Sequence, residues 1–149
     1  MPRRSSQDDP RAIRQRLGDL LAQLDAALDG DSLRSQVRAL IPVDLALRDL
    51  GSSLLPSSAP SARKRILYYM QGHVGIPLSG DELRIVAGID DWGRRVRELR
   101  VDGWPILSGV TLSEMPDEDA AAILIELGVA YLDDEEYVLL GHHPELEHS

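Results

Sequence analysis

Residues 79–107 read S-G-D-E-L-R-I-V-A-G-I-D-D-W-G-R-R-V-R-E-L-R-V-D-G-W-P-I-L. Ser79 stands three residues before Glu82, the reciprocal capping-box spacing, so a helix is expected to start there. Leu83, Val86 and Ala87 fall on one face of it, and Gly88 supplies the left-handed residue that ends it. Ile89 plugs the turn, and Asp90 is placed to cap a second helix. On that helix Trp92, Val96 and Leu99 share the inner face at 100° per residue, while Arg94, Arg97 and Glu98 point outward. Arg95 and Arg100 lie on its flanks. Asp102-Gly103 marks a turn, and Trp104-Pro105-Ile106-Leu107 opens a strand.

A helix, a glycine turn, an arginine-bearing helix and a strand follow one another in the order of a winged helix-turn-helix. In that motif the second helix lies in a nucleic-acid groove. On this reading Arg94 and Arg97 face the groove, able to fork onto guanine edges. Arg63, Lys64, Arg65, Arg84, Arg95 and Arg100 are the candidates for phosphate contacts. The plainer alternative is a solvated helix face, with Arg94 and Glu98 as an i,i+4 ion pair.

The net charge of −9 argues against a nucleic-acid binder until it is divided along the chain. Residues 1–60 are neutral, with eight Arg and eight Asp; residues 61–103 carry +2; residues 104–149 carry eleven acids, no Lys or Arg, and −11. Acidity therefore belongs to the last third, and local charge is the better guide. Cys, Phe and Asn are absent. That excludes disulfides, thiolate metal sites, a cysteine nucleophile and the asparagine of a His-Asn-His nuclease. The chain has no phosphate-cradling glycine loop, no G-x-S-x-G and no H-E-x-x-H, so the expectation is a non-enzyme without cofactor. No 18-residue apolar run and no signal peptide occur, which points to a cytoplasmic protein with no membrane partner.

Working outward, Pro10 sits at the first position of a helix whose stripe is Ile13, Leu17, Leu20, Leu24 and Ala27, ending at Gly30. Asp31 or Ser32 caps a second helix with Leu33, Val37, Leu40 and Ile41 on one face, and Pro42 is expected to break or kink it. The pattern resumes with Val43, Leu47 and Leu50. These stripes must cover each other, the next domain, or a second copy of the chain. Domain boundaries follow: a helical hairpin over 1–50, a Ser/Pro-rich linker over 51–60, a winged helix-turn-helix over 61–141, and a disordered tail over 142–149. The winged unit starts with a helix near Ser61 that turns Ile66, Leu67 and Met70 inward. It has an edge strand at Ile76–Leu78 and an insertion at about 109–134. Within the insertion Pro116–Gly128 reads as a helix. Residues 129–132 and 136–140 read as a β-hairpin or as separated strands. The acids of 114–136 are expected to fold over the arginine helix and compete with DNA.

The tail histidines His142, His143 and His148, with Glu145 and Glu147, have metal-ligand chemistry but no patterned framework, and no metal is assigned. His73 is expected at a helix end, where a cation is favoured.

Leu40–Pro56, Ala62–Tyr69, Gly80–Ile89, Trp92–Val101, Gly103–Ile106 and Glu136–Leu140 together resemble the N-terminal region of certain bacterial restriction endonucleases. Those proteins join winged helix-turn-helix modules to a separate nuclease domain, often of the His-Asn-His type. The resemblance covers roughly residues 33–140, and it implies that Arg94, Arg95, Arg97 and Arg100 belong to a DNA-reading helix. No nuclease domain is present, so cleavage does not carry over; the chain is either a fragment of a larger enzyme or a stand-alone relative. The expected fold is α+β, mainly α. The expected function is recognition of double-stranded DNA, as the specificity part of a restriction or defence system. The expected partners are duplex DNA, a nuclease domain or subunit, and a second copy bound through the N-terminal helices. A small transcriptional regulator, or a protein-interaction or dimerisation adaptor on the same scaffold, are the alternatives.

Overall fold

A computed structural model describes residues 9–30 and 32–143. The order is α1 (Pro10–Leu28), α2 (Leu33–Ser53), α3 (Ala62–Gln71), β1 (Leu78–Ser79), α4 (Gly80–Ala87) and α5 (Trp92–Val101). Then come β2 (Ile106–Ser108), α6 (Gly109–Ser113), α7 (Asp117–Leu127) and β3 (Glu136–Leu139). The protein is α+β and mainly α, with one small antiparallel sheet.

Side-chain oxygens cap most of these helices. Asp9 accepts from the Arg11 N–H ahead of Pro10, Ser32 from Ser35 and Ser61 from Lys64. The alternative cap, Asp31, lies outside the described residues. Around α4 the capping box is complete: Ser79 Oγ accepts from the Glu82 N–H, and the Glu82 carboxylate accepts from the Ser79 N–H at 2.7 Å. That backbone bond, with help from the Tyr69 hydroxyl, holds the Glu82 carboxyl below its ordinary value against the opposing effect of burial. Its carboxylate in turn raises the Tyr69 phenol. Gly88, at φ 69°, ends α4 in the left-handed region that only glycine enters freely.

α1 and α2 form a hairpin around Leu17, Val43 and Ala46, tied by Arg16–Asp49 at 2.9 Å. One expectation is corrected here, and another is left with fewer alternatives. Pro42 does not break α2: it removes one hydrogen bond, to the Arg38 carbonyl, and the helix continues. Packing of Val43 and Ala46, just after the proline, against Leu17 of α1 outweighs that loss. The Leu33, Val37, Leu40 and Ile41 face is not buried by any described part of the chain.

The supposed linker is also more structured than its composition implies. Helix α2 runs to Ser53, and Gly51 is buried so close to the Ile85 backbone that no Cβ would fit. Ala59 is buried, and the Pro60 carbonyl accepts a hydrogen bond from Arg65.

The strands lie in the order β1-β3-β2. Leu78 pairs with Tyr137, Ile106 with Leu139, and Leu107 with Val138, all antiparallel. Because side chains alternate across a strand, the sheet carries a core on each face. One side holds Ile106 and Leu139 with Ile66, Met70, Leu83, Val86, Val96 and Leu99 from α3, α4 and α5. The other holds Leu107 and Val138 with Leu112 and Leu132, covered by Ile123, Leu124 and Leu127 of α7. The edge strand is shorter than expected, since Ile76 and Pro77 lie before β1, and β2 begins at Ile106 rather than Trp104. No strand forms over 129–132. Leu132 drops instead into the second core, and β3 finds its partners in β1 and β2, so the local hairpin gives way to long-range pairing.

Candidate nucleic-acid interface

Helix α5 is held from within by Val96 and Leu99, which are fully buried. Trp92 anchors its first turn, edge-on to Tyr137 at 5.8 Å and pressed against Gly80, where a Cβ would stand 2.9 Å from the indole. Asp90 does not cap this helix. The cap position is Asp91, which makes no side-chain cap bond, and the Asp90 carboxylate instead takes Arg48 of α2 at 2.8 Å.

With one face anchored, Arg94, Arg97 and Val101 make up the open face at i, i+3 and i+7. The Arg94 side chain is 62% exposed and lies 3.7 Å from Glu98. Arg97 is exposed, runs back over Gly93, and makes no ion pair among the described residues. Val101, at 86% exposure, was not among the sequence candidates. Its position seven residues after Arg94 was the available signal. Glu98 is the other residue missed in this role: it accepts from Arg95 through both oxygens, at 2.8 and 3.0 Å, and so sets the charge between the arginines.

The phosphate candidates divide into three groups. Arg63 extends the α5 surface: it bridges to Asp102 at 3.1 Å and shares with Arg95 and Glu98 a cleft of about 490 Å³. Lys64, next to it at the start of α3, is exposed. Arg84 is exposed but faces elsewhere. It pairs with Asp81 at 3.5 Å and lines a groove of about 430 Å³ between α2 and α4.

Arg65 and Arg100 are corrections. Arg65 is buried and donates to the carbonyls of Val86, Ala87 and Pro60 at 3.0, 2.6 and 2.9 Å. Its charge sits at the carbonyl end of α4, where a cation is favoured, and its donors are spent there. Arg100 donates to the Ile106 carbonyl and to Thr111 Oγ1, each at 2.9 Å, joining α5 to β2 and α6. The Arg65 guanidinium is enclosed by the fold, and the half-buried Arg100 guanidinium is tied to β2 and α6.

For α7 the expectation that the acidic segment folds over the arginine helix is overturned. Helix α7 covers the opposite face of the sheet, and no ion pair joins it to α5 among the described residues. Glu135, by contrast, stays near the first turn of α5, its carbonyl accepting from the Gly80 N–H at 2.8 Å beside Trp92. At the tail, His143 packs edge-on to Trp104 at 5.2 Å and bonds the Asp102 carbonyl, so it is engaged away from any metal cluster. Glu145, Glu147 and His148 lie outside the described residues. His73 follows the end of α3, its Nδ1 at 2.7 Å from the Tyr69 carbonyl.

The sequence model of the KpnI N-terminal domain family matches residues 63–140. The chain belongs to this family. The KpnI N-terminal domain match opens in the first turn of α3 and closes just after β3, so it takes in both cores of the sheet and all of α5. Helices α1 and α2 precede it. The chain is thus a restriction-enzyme-related module carrying a helical hairpin on its N-terminal side. No curated protein and no solved structure matches it. No helix of the described residues is long and apolar enough to cross a membrane.

Proposed function

We propose that residues 61–141 form a winged helix-turn-helix that recognises double-stranded DNA, with α5 as the groove helix. The observation that carries this reading is the open face of α5, where Arg94 and Arg97 stand on a helix fixed by Trp92, Val96 and Leu99. The sequence of elements from α3 to β3, with β3 central in the sheet, supports the motif. The insertion at 109–135 takes the place of a simple wing. Arg63, Lys64 and Arg95 border the same surface and suit phosphate contacts; Arg84 would reach phosphate only from the α2–α4 side. Membership in a restriction-enzyme family makes DNA the favoured ligand. Cutting, on this reading, belongs to a separate nuclease domain or subunit.

Duplex binding followed by fluorescence anisotropy across a salt series tests the proposal. Log affinity should fall linearly with log salt, by about 0.9 per phosphate neutralised. Absence of duplex binding at low salt, or binding indifferent to salt, would favour the adaptor reading. Ile125 and Tyr131, exposed on the acidic side, are the features that support that alternative.

A further inference from the structure

Helix α2 repeats its seam residues at alternating spacings of four and three: Leu33, Val37, Leu40, Asp44, Leu47, Gly51 and Leu54. That is the period of a helix with a partner along its whole length. The C-terminal part of the seam is partly occupied: Gly51 closes on Ile85 of α4 and the neighbouring Arg48 reaches Asp90, while Leu47 and Leu54 stay exposed at the rim of that contact. The N-terminal part extends beyond α4. Leu33, Val37, Leu40 and the adjoining Ile41 are between 48% and 76% exposed. Four apolar side chains in register on one helix are more than scattered surface residues explain.

Charge along the same helix indicates the occupant. Its first half carries Arg34 and Arg38 and no acid, and neither arginine makes an ion pair among the described residues. Its second half carries Asp44 on the seam, with a side chain 60% exposed that pairs with Arg48 of the same helix at 3.1 Å and keeps its other side open. Asp49 is engaged by Arg16 of α1. A second α2 laid antiparallel sets Arg34 and Arg38 of each copy toward Asp44 of the other, whereas a parallel one sets like charges together. A polar residue within an apolar seam is a common means of fixing orientation.

We infer that the protein self-associates through the N-terminal half of α2, antiparallel, about a two-fold axis, as isologous dimers do. Self-association through α2 is independent of what α5 binds, and the test involves no DNA.

Light scattering and sedimentation equilibrium of the full chain should show a dimer that dissociates on dilution. Val37→Glu with Leu40→Glu should raise the dissociation constant by about thirtyfold or more, because central apolar anchors dominate such interfaces. Helicity and melting of the monomer should stay unchanged, both residues being exposed. Arg34→Glu with Arg38→Glu, and separately Asp44→Lys, should each weaken the dimer, and an equimolar mixture of the two variants should restore it. A wild-type chain that stays monomeric at every concentration overturns the inference. So does a dimer that survives the double glutamate substitution, or a mixture that shows no recovery.

Discussion

The two faces of the sheet are built from similar apolar material and end in opposite surfaces. On one, α5 is clamped by Val96, Leu99 and Trp92 and presents Arg94 and Arg97. On the other, α7 has no fully buried residue and presents Asp117, Glu118, Asp119 and Glu126. The −9 of the whole chain describes neither surface. A helix on each side of a sheet places the two charge sets on the order of 20 Å apart. That exceeds the screening length of about 8 Å at physiological salt. A net acidic protein can in this way keep an arginine-bearing surface apart from its acids, because the sheet separates what the sequence runs together.

Removing the arginines of that surface should have the largest effect. Arg94→Ala with Arg97→Ala is expected to cost about 2–6 kcal/mol of duplex binding, at about 1–3 for each groove-facing arginine. The melting temperature should barely move, since both side chains are exposed. Binding that survives in anisotropy titrations would break the assignment of α5. Arg65→Ala is expected to do the reverse, losing about 2–4 kcal/mol of stability in denaturant melts as three carbonyls lose a charged donor. At a temperature where that variant is folded, its DNA affinity should match the wild type; a selective loss of binding would return Arg65 to the interface.

Acids differ across the sheet as well. Glu82 is wired to the Ser79 N–H and the Tyr69 hydroxyl, whereas no side-chain cap bond is made at the start of α7. Because the folded-state carboxyl of Glu82 is held below its unfolded value, its contribution is present above the unfolded pKa and is lost as pH falls through the lowered one. Thermal melts in acid should show this decline, and Glu82→Gln should remove about 0.5–1 kcal/mol of it. A pH profile identical in the two proteins would contradict the role. The smallest effect is expected at α7. Neutralising Asp117, Glu118 and Asp119 together should alter DNA affinity by less than about twofold at physiological salt. Tightening by an order of magnitude would mean that the sheet does not insulate the two faces.

Much of the arginine side could be read locally. The Ser79–Glu82 box, the Gly88 stop and the Trp92-Val96-Leu99 stripe depend on neighbours within a few residues, and each forms as the spacing implies. What escaped depends on distant chain. Nothing near Arg65 announces the carbonyls of Val86 and Ala87, twenty-one and twenty-two residues ahead, so residue type alone assigned it to phosphate. Residues 129–140 suggested local strands, yet β3 is satisfied by β1 and β2. The side of the sheet taken by α7 was hidden because Ile106, Leu107 and Ser108 are all buried and show no polar alternation. Pro42 lies in a continuous helix because tertiary contacts on α1 outweigh a local rule.

Strands β2 and β3 are hydrogen-bonded neighbours, although residues 109–135 run between them. The two ends of that excursion are thus pinned side by side by the sheet itself. Loop-closure entropy grows only with the logarithm of length, by about 0.6 kcal/mol per doubling. Residues can therefore be inserted after α7, between Gly128 and Tyr131, with little penalty from chain length and with Ile123, Leu124 and Leu127 left in place over the second core. The same junction is a place to graft a reporter or a tether on the back of the molecule, leaving the arginine helix in front undisturbed.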